Sequence, residues 1–517
     1  MARESRVRKT LLNMRINMVT YLVAIVISFF TRKVFLDTLG AEFMGLTTTV
    51  NAMLGFLNLA ELGVGASIAY FLYKPIYDDD HDKINETISI MGYLYRLIGS
   101  FILAAGVVGS LFLPLVFKAT SFTWSIIYLV FYGQLFCSML GYFVNYKANT
   151  IFAADQRQYL VNGYFQLTQF SSMILQALLA YYTRSFVLYM VVMVVFAIVN
   201  SLILNWKFDK CYPWVEASIQ RGKEALKHRP EIMLYVKRVF IHQIGRFVNN
   251  SAMPVIVYGY ASLTMVTLYS NYTLLNNKVS NLVYSALSGT EASVGNLIAE
   301  GDKQKILDCY KELYSIKFFV IAFLSICLVH LNSDFIAVWL GSEYVLSAVL
   351  VTLICADFFL NLARNTTDQF INGFGLKADI WVPICRVVSL AFIIGAGKLW
   401  GLIGILAVPV VVQITLMHIW KPYYLFHSGM QLPFGKYWKL LLVNLLPFVI
   451  AYLASVIITR QLGFEEGLTT TWRMFLLKAM SFSVPLFMIA LFLAWHFSEG
   501  IRMFGGRVVK RLNARRH

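Results

Sequence analysis

Asp357, Asn361, Arg364 and Asp368 recur at intervals of four, three and four through an otherwise apolar stretch. On a helix they fall within about 60° of arc, so they share one face. Two further apolar stretches carry similar stripes. His242, Arg246 and Asn249 are spaced by four and three, with Asn250 alongside, and Asn271, Lys278, Asn281 and Ser285 share another face. Glu61 stands beside Gly63 and Gly65, and Arg96 and Arg386 lie in other apolar runs. An ionisable group in hydrocarbon is costly, so such groups face a wet cavity or a partner of opposite charge. Arg246, Lys278, Arg364 and Arg96 would make a cavity suited to an anion. Phosphate or pyrophosphate is the natural guess, because Arg engages it with two parallel donors. Asp357, Glu61 and Asp368 could each carry a coupling proton or Na⁺. The plainer alternatives are structural. Asp357 with Arg364, or Glu61 with some Arg, can be a neutralising pair, the asparagines can tighten helix packing, and Arg96 can snorkel to the interface.

The elements that must hold these stripes are membrane helices. The chain has 517 residues, 58% hydrophobic, with mean hydropathy +0.65. Only 14% of its residues are charged, against about 25% in a soluble domain. About fourteen apolar runs, from 16–36 to 474–495, are long enough to span a bilayer. Proline at 254, 383, 409, 447 and 485 predicts kinks within several of them. With the amino terminus inside, Lys and Arg favour the inner loops by about four to one, which places both termini in the cytoplasm. Trp124, Trp206, Trp381, Trp400, Trp420, Trp438, Trp472 and Trp495 fall near span ends, as an aromatic belt requires. The longest polar segment, 207–238, is basic and divides the spans into six before and eight after. Within it Pro213 could open a short surface helix with Trp214, Ile219 and Leu226 on one side.

Several functions are excluded. The net charge of +17 sits in short loops between apolar runs, a topology signal rather than a nucleic-acid surface. No phosphate-binding Gly-x-x-x-x-Gly-Lys loop is present, so no built-in ATPase is expected. The histidines are scattered, and no hydrolytic triad or metal motif is readable. The six cysteines form no Cys-x-x-Cys pair, so neither a disulfide nor a metal site is expected. The basic region before the first apolar run has no small-residue cleavage site after it, so that run reads as a retained span. A membrane glycan polymerase or ligase would need a large outer loop, and the outer loops here are short.

Arg32-Lys-Val-Phe-Leu-Asp-Thr-Leu-Gly-Ala-Glu-Phe-Met-Gly-Leu46 resembles the link between the first two spans of polysaccharide exporters. Ala299-Glu300-Gly301-Asp302-Lys303 and Trp339-Leu340-Gly341-Ser342-Glu343-Tyr344 are similar to further patterns of that group. The group is the O-antigen or repeat-unit flippase (Wzx-type) branch of the multidrug/oligosaccharidyl-lipid/polysaccharide exporter superfamily. The resemblance implies an all-α fold of two six-helix bundles, 1–206 and 239–420, joined by the cytoplasmic linker 207–238. Residues 421–517 would add two helices and a basic tail. It implies transport, without ATP or cofactor, of an undecaprenyl-pyrophosphate-linked oligosaccharide across the inner membrane, for surface polysaccharide or lipopolysaccharide. Arg246, Lys278 and Arg364, with Asn249, Asn281 and Arg32, would bind that substrate by alternating access. The alternative within the superfamily is a cation-coupled multidrug exporter.

Overall fold

The computed structural model describes residues 6–61, 64–287, 291–376, 381–463 and 467–514. Side chains are described from residue 18 onward within those ranges, except at 59, 60, 66, 238, 241–251, 285–287, 291–293, 381–383 and 508–514. Two compact units, Met1–Thr267 and Leu268–His517, make up the chain.

The first unit holds α1 (Arg6–Leu57), α2 (Val64–Asp78), α3 (His81–Ser110), α4 (Leu113–Val116), α5 (Trp124–Phe143), α6 (Tyr146–Ala154), α7 (Gln158–Thr183), α8 (Phe186–Cys211), α9 (Ile219–His228) and α10 (Pro230–Tyr260). α11 (Leu263–Leu287) begins in the first unit and continues into the second. There follow α12 (Glu291–Glu300), α13 (Lys303–Trp339), α14 (Ala348–Ala363), α15 (Asn365–Gly373), α16 (Trp381–Val412), α17 (Lys421–Tyr424), α18 (Gly435–Gln461), α19 (Trp472–Phe497) and α20 (Glu499–Ala514). π-helical turns at Gln413–Trp420 and Leu425–Gly429 flank α17.

The protein is a polytopic α-helical membrane protein. Among the described residues, nine helices are long and apolar enough to cross a bilayer. The two longest reach at least twice one crossing: Met18–Leu57 has 40 residues and Ile384–Gly429 has 46, against about 20 for one span. Each is broken at a glycine with positive φ, Gly40 (φ 85°) and Gly401 (φ 58°). Those backbone angles carry little cost only without a Cβ. α7, with 26 residues, and α11, with 25, are also long enough to span and stand outside the nine.

The outward faces are those of a lipid-solvated helix. On α8, Val187, Val191, Val195, Ile198 and Leu202 are exposed, while Met190, Ser201, Leu204 and Phe208 are buried. In the second unit Tyr310, Phe370, Phe426, Tyr437 and Phe482 form the centre of an aromatic-rich core.

The segment 207–238 is not a free surface helix. α9 starts at Ile219, with Ser218 as its N-cap, and packs on α3. A Cβ at Gly222 would lie 1.9 Å from the Ser89 carbonyl oxygen, so the two backbones touch. Asn85 accepts from the Glu216 backbone N–H at 3.0 Å, and Trp214 stacks on His81 with ring centroids 3.6 Å apart. α10 packs against α1 and α2. The compact first unit therefore extends past the polar segment to Thr267.

Loop carboxylates cap the helices. Asp302 accepts from the backbone N–H groups of Lys305 and Gln304 at the start of α13, and these bonds hold its pKa below the usual carboxylate range. Burial, and then the Asp155 carboxylate beside it, push the Tyr212 phenol up, and its hydroxyl donates to Asp155 at 2.6 Å.

Candidate functional site

In the second unit the stripe on α14 and α15 meets the run of π-helical turns. The helix is scarcely interrupted at Arg364, whose backbone stays in the α region. The stripe therefore keeps one face. Gln413, Met417 and Lys421 recur every four residues and each meets a member of it. The Gln413 amide donates to Asp357 at 2.6 Å. An Arg364 Nη lies 3.7 Å from the Met417 sulfur. The Lys421 ammonium donates to Asp368. Between them, a ring nitrogen of His418 lies 2.9 Å from the Leu360 carbonyl oxygen.

Asp368 thus stands between two cations, with the Arg364 Nε 3.7 Å from its second oxygen. The expected Asp357–Arg364 pair is replaced by Asp368–Arg364, one helical turn apart. A third cation joins from α13. Lys317 is buried and donates to the amide oxygens of Asn365 at 2.8 Å and Gln369 at 2.9 Å. Lys317, Arg364 and Lys421 converge on the α14–α15 run. Lys317 and Lys421 were missed by the sequence reading because each sits at the end of an apolar run, where a Lys normally marks the interface.

Lys278 is half-buried on α11, and Asn281, three residues on, is exposed. Asn271 is fully buried and Asn276 nearly so, with the Asn276 amide donating to the Ile354 carbonyl at 3.5 Å. Arg246 and Asn249 lie on α10 outside the described side chains, and so does Ser285 on α11. Arg32 is half-buried on α1, and Arg96 is exposed on α3. Arg386 is buried on α16.

In the first unit Glu61 closes a 3-10 turn, Asn58–Glu61, beyond the end of α1. The sequence reading places it deep in an unbroken span beside loosening glycines, and the helix does stop there. Tyr95 of α3 donates to one carboxylate oxygen at 2.7 Å. Tyr142 of α5 donates to the other at 2.9 Å and contacts the Asn58 amide oxygen at 3.1 Å. Among the described residues no Lys or Arg lies within ion-pair distance of Glu61, and its hydrogen-bond partners there are the two phenols. The carboxylate lines a cavity of 510 Å³, with Ser138, Tyr146, Asn149 and Gln158 on its other walls. No group of three metal-ligating side chains occurs among the described residues.

No family model and no curated protein matches the chain. Solved structures do match in fold. The lipid II flippase MurJ, in an inward closed conformation, superposes with a TM-score of 0.63 at 12% identity, covering 93% of this chain and 98% of that one. An inward-facing multidrug resistance MATE family transporter of the MOP superfamily gives 0.57 at 14% identity, over 81% of this chain and 99% of its own. At these identities the likeness is one of architecture, and nearly the whole length of this membrane protein is built on the helical plan of those two transporters.

Proposed function

We propose that the protein is a secondary transporter that moves a lipid-linked oligosaccharide, carried on a polyprenyl pyrophosphate, between the leaflets of a bacterial inner membrane. The carrying observation is the cationic cluster on a membrane-spanning run, Arg364 and Lys421 about Asp368 with Lys317 adjoining, in a chain that shares its fold with a lipid II flippase over 93% of its length. A pyrophosphate has two anionic centres and needs fixed positive charge at membrane depth. Arg364 supplies it, with Lys278 and, in this reading, Arg246 and Arg32. Asn249 and Asn281 would hold sugar hydroxyls. The resemblance at 32–46, 299–303 and 339–344 supports a repeat-unit (Wzx-type) cargo for surface polysaccharide or lipopolysaccharide.

Of the three coupling candidates, Glu61 fits best. Asp368 is engaged by two cations and Asp357 by the Gln413 amide, whereas Glu61 lines an aqueous-sized cavity with only hydroxyl partners. The cycle alternates cytoplasmic and external exposure of the headgroup while the lipid tail stays in the bilayer. Proton or Na⁺ entry at Glu61 supplies the drive. The second reading is a cation-coupled multidrug exporter, favoured by the same carboxylate cavity and by the MATE likeness.

The test is transport of a fluorescent polyprenyl-pyrophosphate oligosaccharide in proteoliposomes holding the full chain. Lys278→Ala and Arg364→Ala should each lower the rate at least about tenfold, the loss of one charge-assisted contact. Glu61→Gln should abolish stimulation by a pH or Na⁺ gradient and leave cargo binding. Undiminished transport by both cation variants overturns the cationic-site assignment, and no transport of the glycolipid by the parent chain sinks the flippase reading. A cationic dye moved in place of the glycolipid establishes the exporter.

A further inference from the structure

A second cavity, of 360 Å³, opens in the first unit between α5, α6, α7 and α8. Its walls differ from those of the Glu61 cavity in having no Asp, Glu, Lys, Arg or His. Amides and hydroxyls make up the polar part, and the rings of Phe165 and Phe196 the apolar part. Ser138, Gly141 and Asn149 border both cavities, so the two adjoin.

Some of its polar groups are anchored. The Asn145 amide donates to Ser201 at 2.9 Å and accepts from Asn205 at 3.1 Å. Thr168 donates to the Asn200 amide oxygen at 3.1 Å, which leaves the Asn200 NH₂ facing the cavity wall. Others have nothing to hold. The side chains of Asn149 and Gln169 make no hydrogen bond to any described residue. Gln169 and Phe165 are exposed, at the mouth.

We infer that this cavity binds a neutral saccharide, as a subsite for the sugar part of the cargo. Three physical points select that class. A charged headgroup would meet no counter-charge here and would lose its hydration without return. A bare hydrocarbon chain would strand the Asn149, Gln169 and Asn200 amides. A sugar hydroxyl both donates and accepts, as an amide does, and the C–H face of a pyranose packs on the flat apolar surface of an aromatic ring such as Phe165 or Phe196. The volume lies at the small end of the range for small-molecule sites, about 300–1,000 Å³, which suits a short saccharide. The inference rests on the transport reading for the identity of the cargo, but its test reads binding alone.

Cys137 lines the cavity and is half-buried, so it reports occupancy in the native chain. The full chain, purified in a zwitterionic, sugar-free detergent, is pulsed with N-ethylmaleimide, and Cys137 alkylation is read by peptide mass spectrometry. Cys327 and Cys385, which do not line the cavity, are internal controls. Dodecyl maltoside is the probe, and dodecylphosphocholine, with the same tail and a charged headgroup, is the comparison. Maltoside should slow alkylation of Cys137 and leave the controls unchanged, with no slowing by the phosphocholine. Gln169→Leu should raise the half-protecting maltoside concentration about threefold to tenfold, the loss of one neutral hydrogen bond. Where Cys137 proves unreactive in the free protein, Gln169→Cys at the mouth takes its place as reporter and Asn149→Leu replaces the weakening variant. Equal protection by both amphiphiles, or by neither, overturns the inference and leaves the transport reading to its own assay.

Discussion

Asp334 and Lys478 show what a neutralising pair looks like in this protein, and so define by contrast what Glu61 is. Their charged groups are 3.0 Å apart, with side chains 5% and 10% exposed. The second Asp334 oxygen accepts from the Thr469 backbone N–H at 2.9 Å. Both Asp334 oxygens are thus engaged. Removing one partner of such a pair costs about 3–5 kcal/mol because the other charge stays buried. Asp334→Asn should therefore lower the thermal midpoint in detergent by several degrees. Asp334→Asn with Lys478→Met should recover most of that loss, and transport by the folded fraction should stay normal. If the double variant is no more stable than the single one, the pair is not what holds α13 to α19. Among the described residues Glu61 has no such cation, and it opens on a cavity, which is why coupling is proposed for Glu61 and stability for Asp334.

At the scale of elements, the π-helical turns and α9 decide most. A π turn holds five residues per hydrogen-bonded loop rather than four. That local widening lets Gln413, Met417 and Lys421 each reach the α14–α15 stripe. α9 is short and strongly basic, and its contact with α3 depends on one missing Cβ. Gly222→Val places carbon against the Ser89 carbonyl, at an overpacking cost of about 1–3 kcal/mol. The expected outcome is release of α9: trypsin should cut at Arg221 and Lys223 faster than in the parent chain, with the spans left intact. Unchanged cleavage would mean that Asn85 and the Trp214–His81 stack hold the segment without Gly222.

At the scale of the whole molecule, the charge bias of the loops sets the topology prediction. A reporter active only in the cytoplasm, inserted after Lys223, should be active. The same reporter inserted after Arg184, in the short turn between α7 and α8, should be silent. The reverse result would place both termini outside and overturn the topology read from the loop charges. The fold shared with the flippase and the multidrug transporter is compatible with either cargo, since one architecture hosts several substrates. The choice between them rests on the cationic stripe.

The sequence by itself determined the solvent, the helices and the stripes. Hydropathy and the 3.6-residue period are local, so the apolar runs and the shared face of Asp357, Asn361, Arg364 and Asp368 could be read off directly. It left Glu61 within one continuous span, with Gly63 and Gly65 only hinting at a looser helix there. Only the tertiary structure chose the partners. Asp368 takes Lys421 from 53 residues away, and Glu61 takes Tyr95 and Tyr142 from 34 and 81 residues away. No periodicity encodes these choices, because they depend on which helices become neighbours and on which side chains the low-polarity interior leaves within reach.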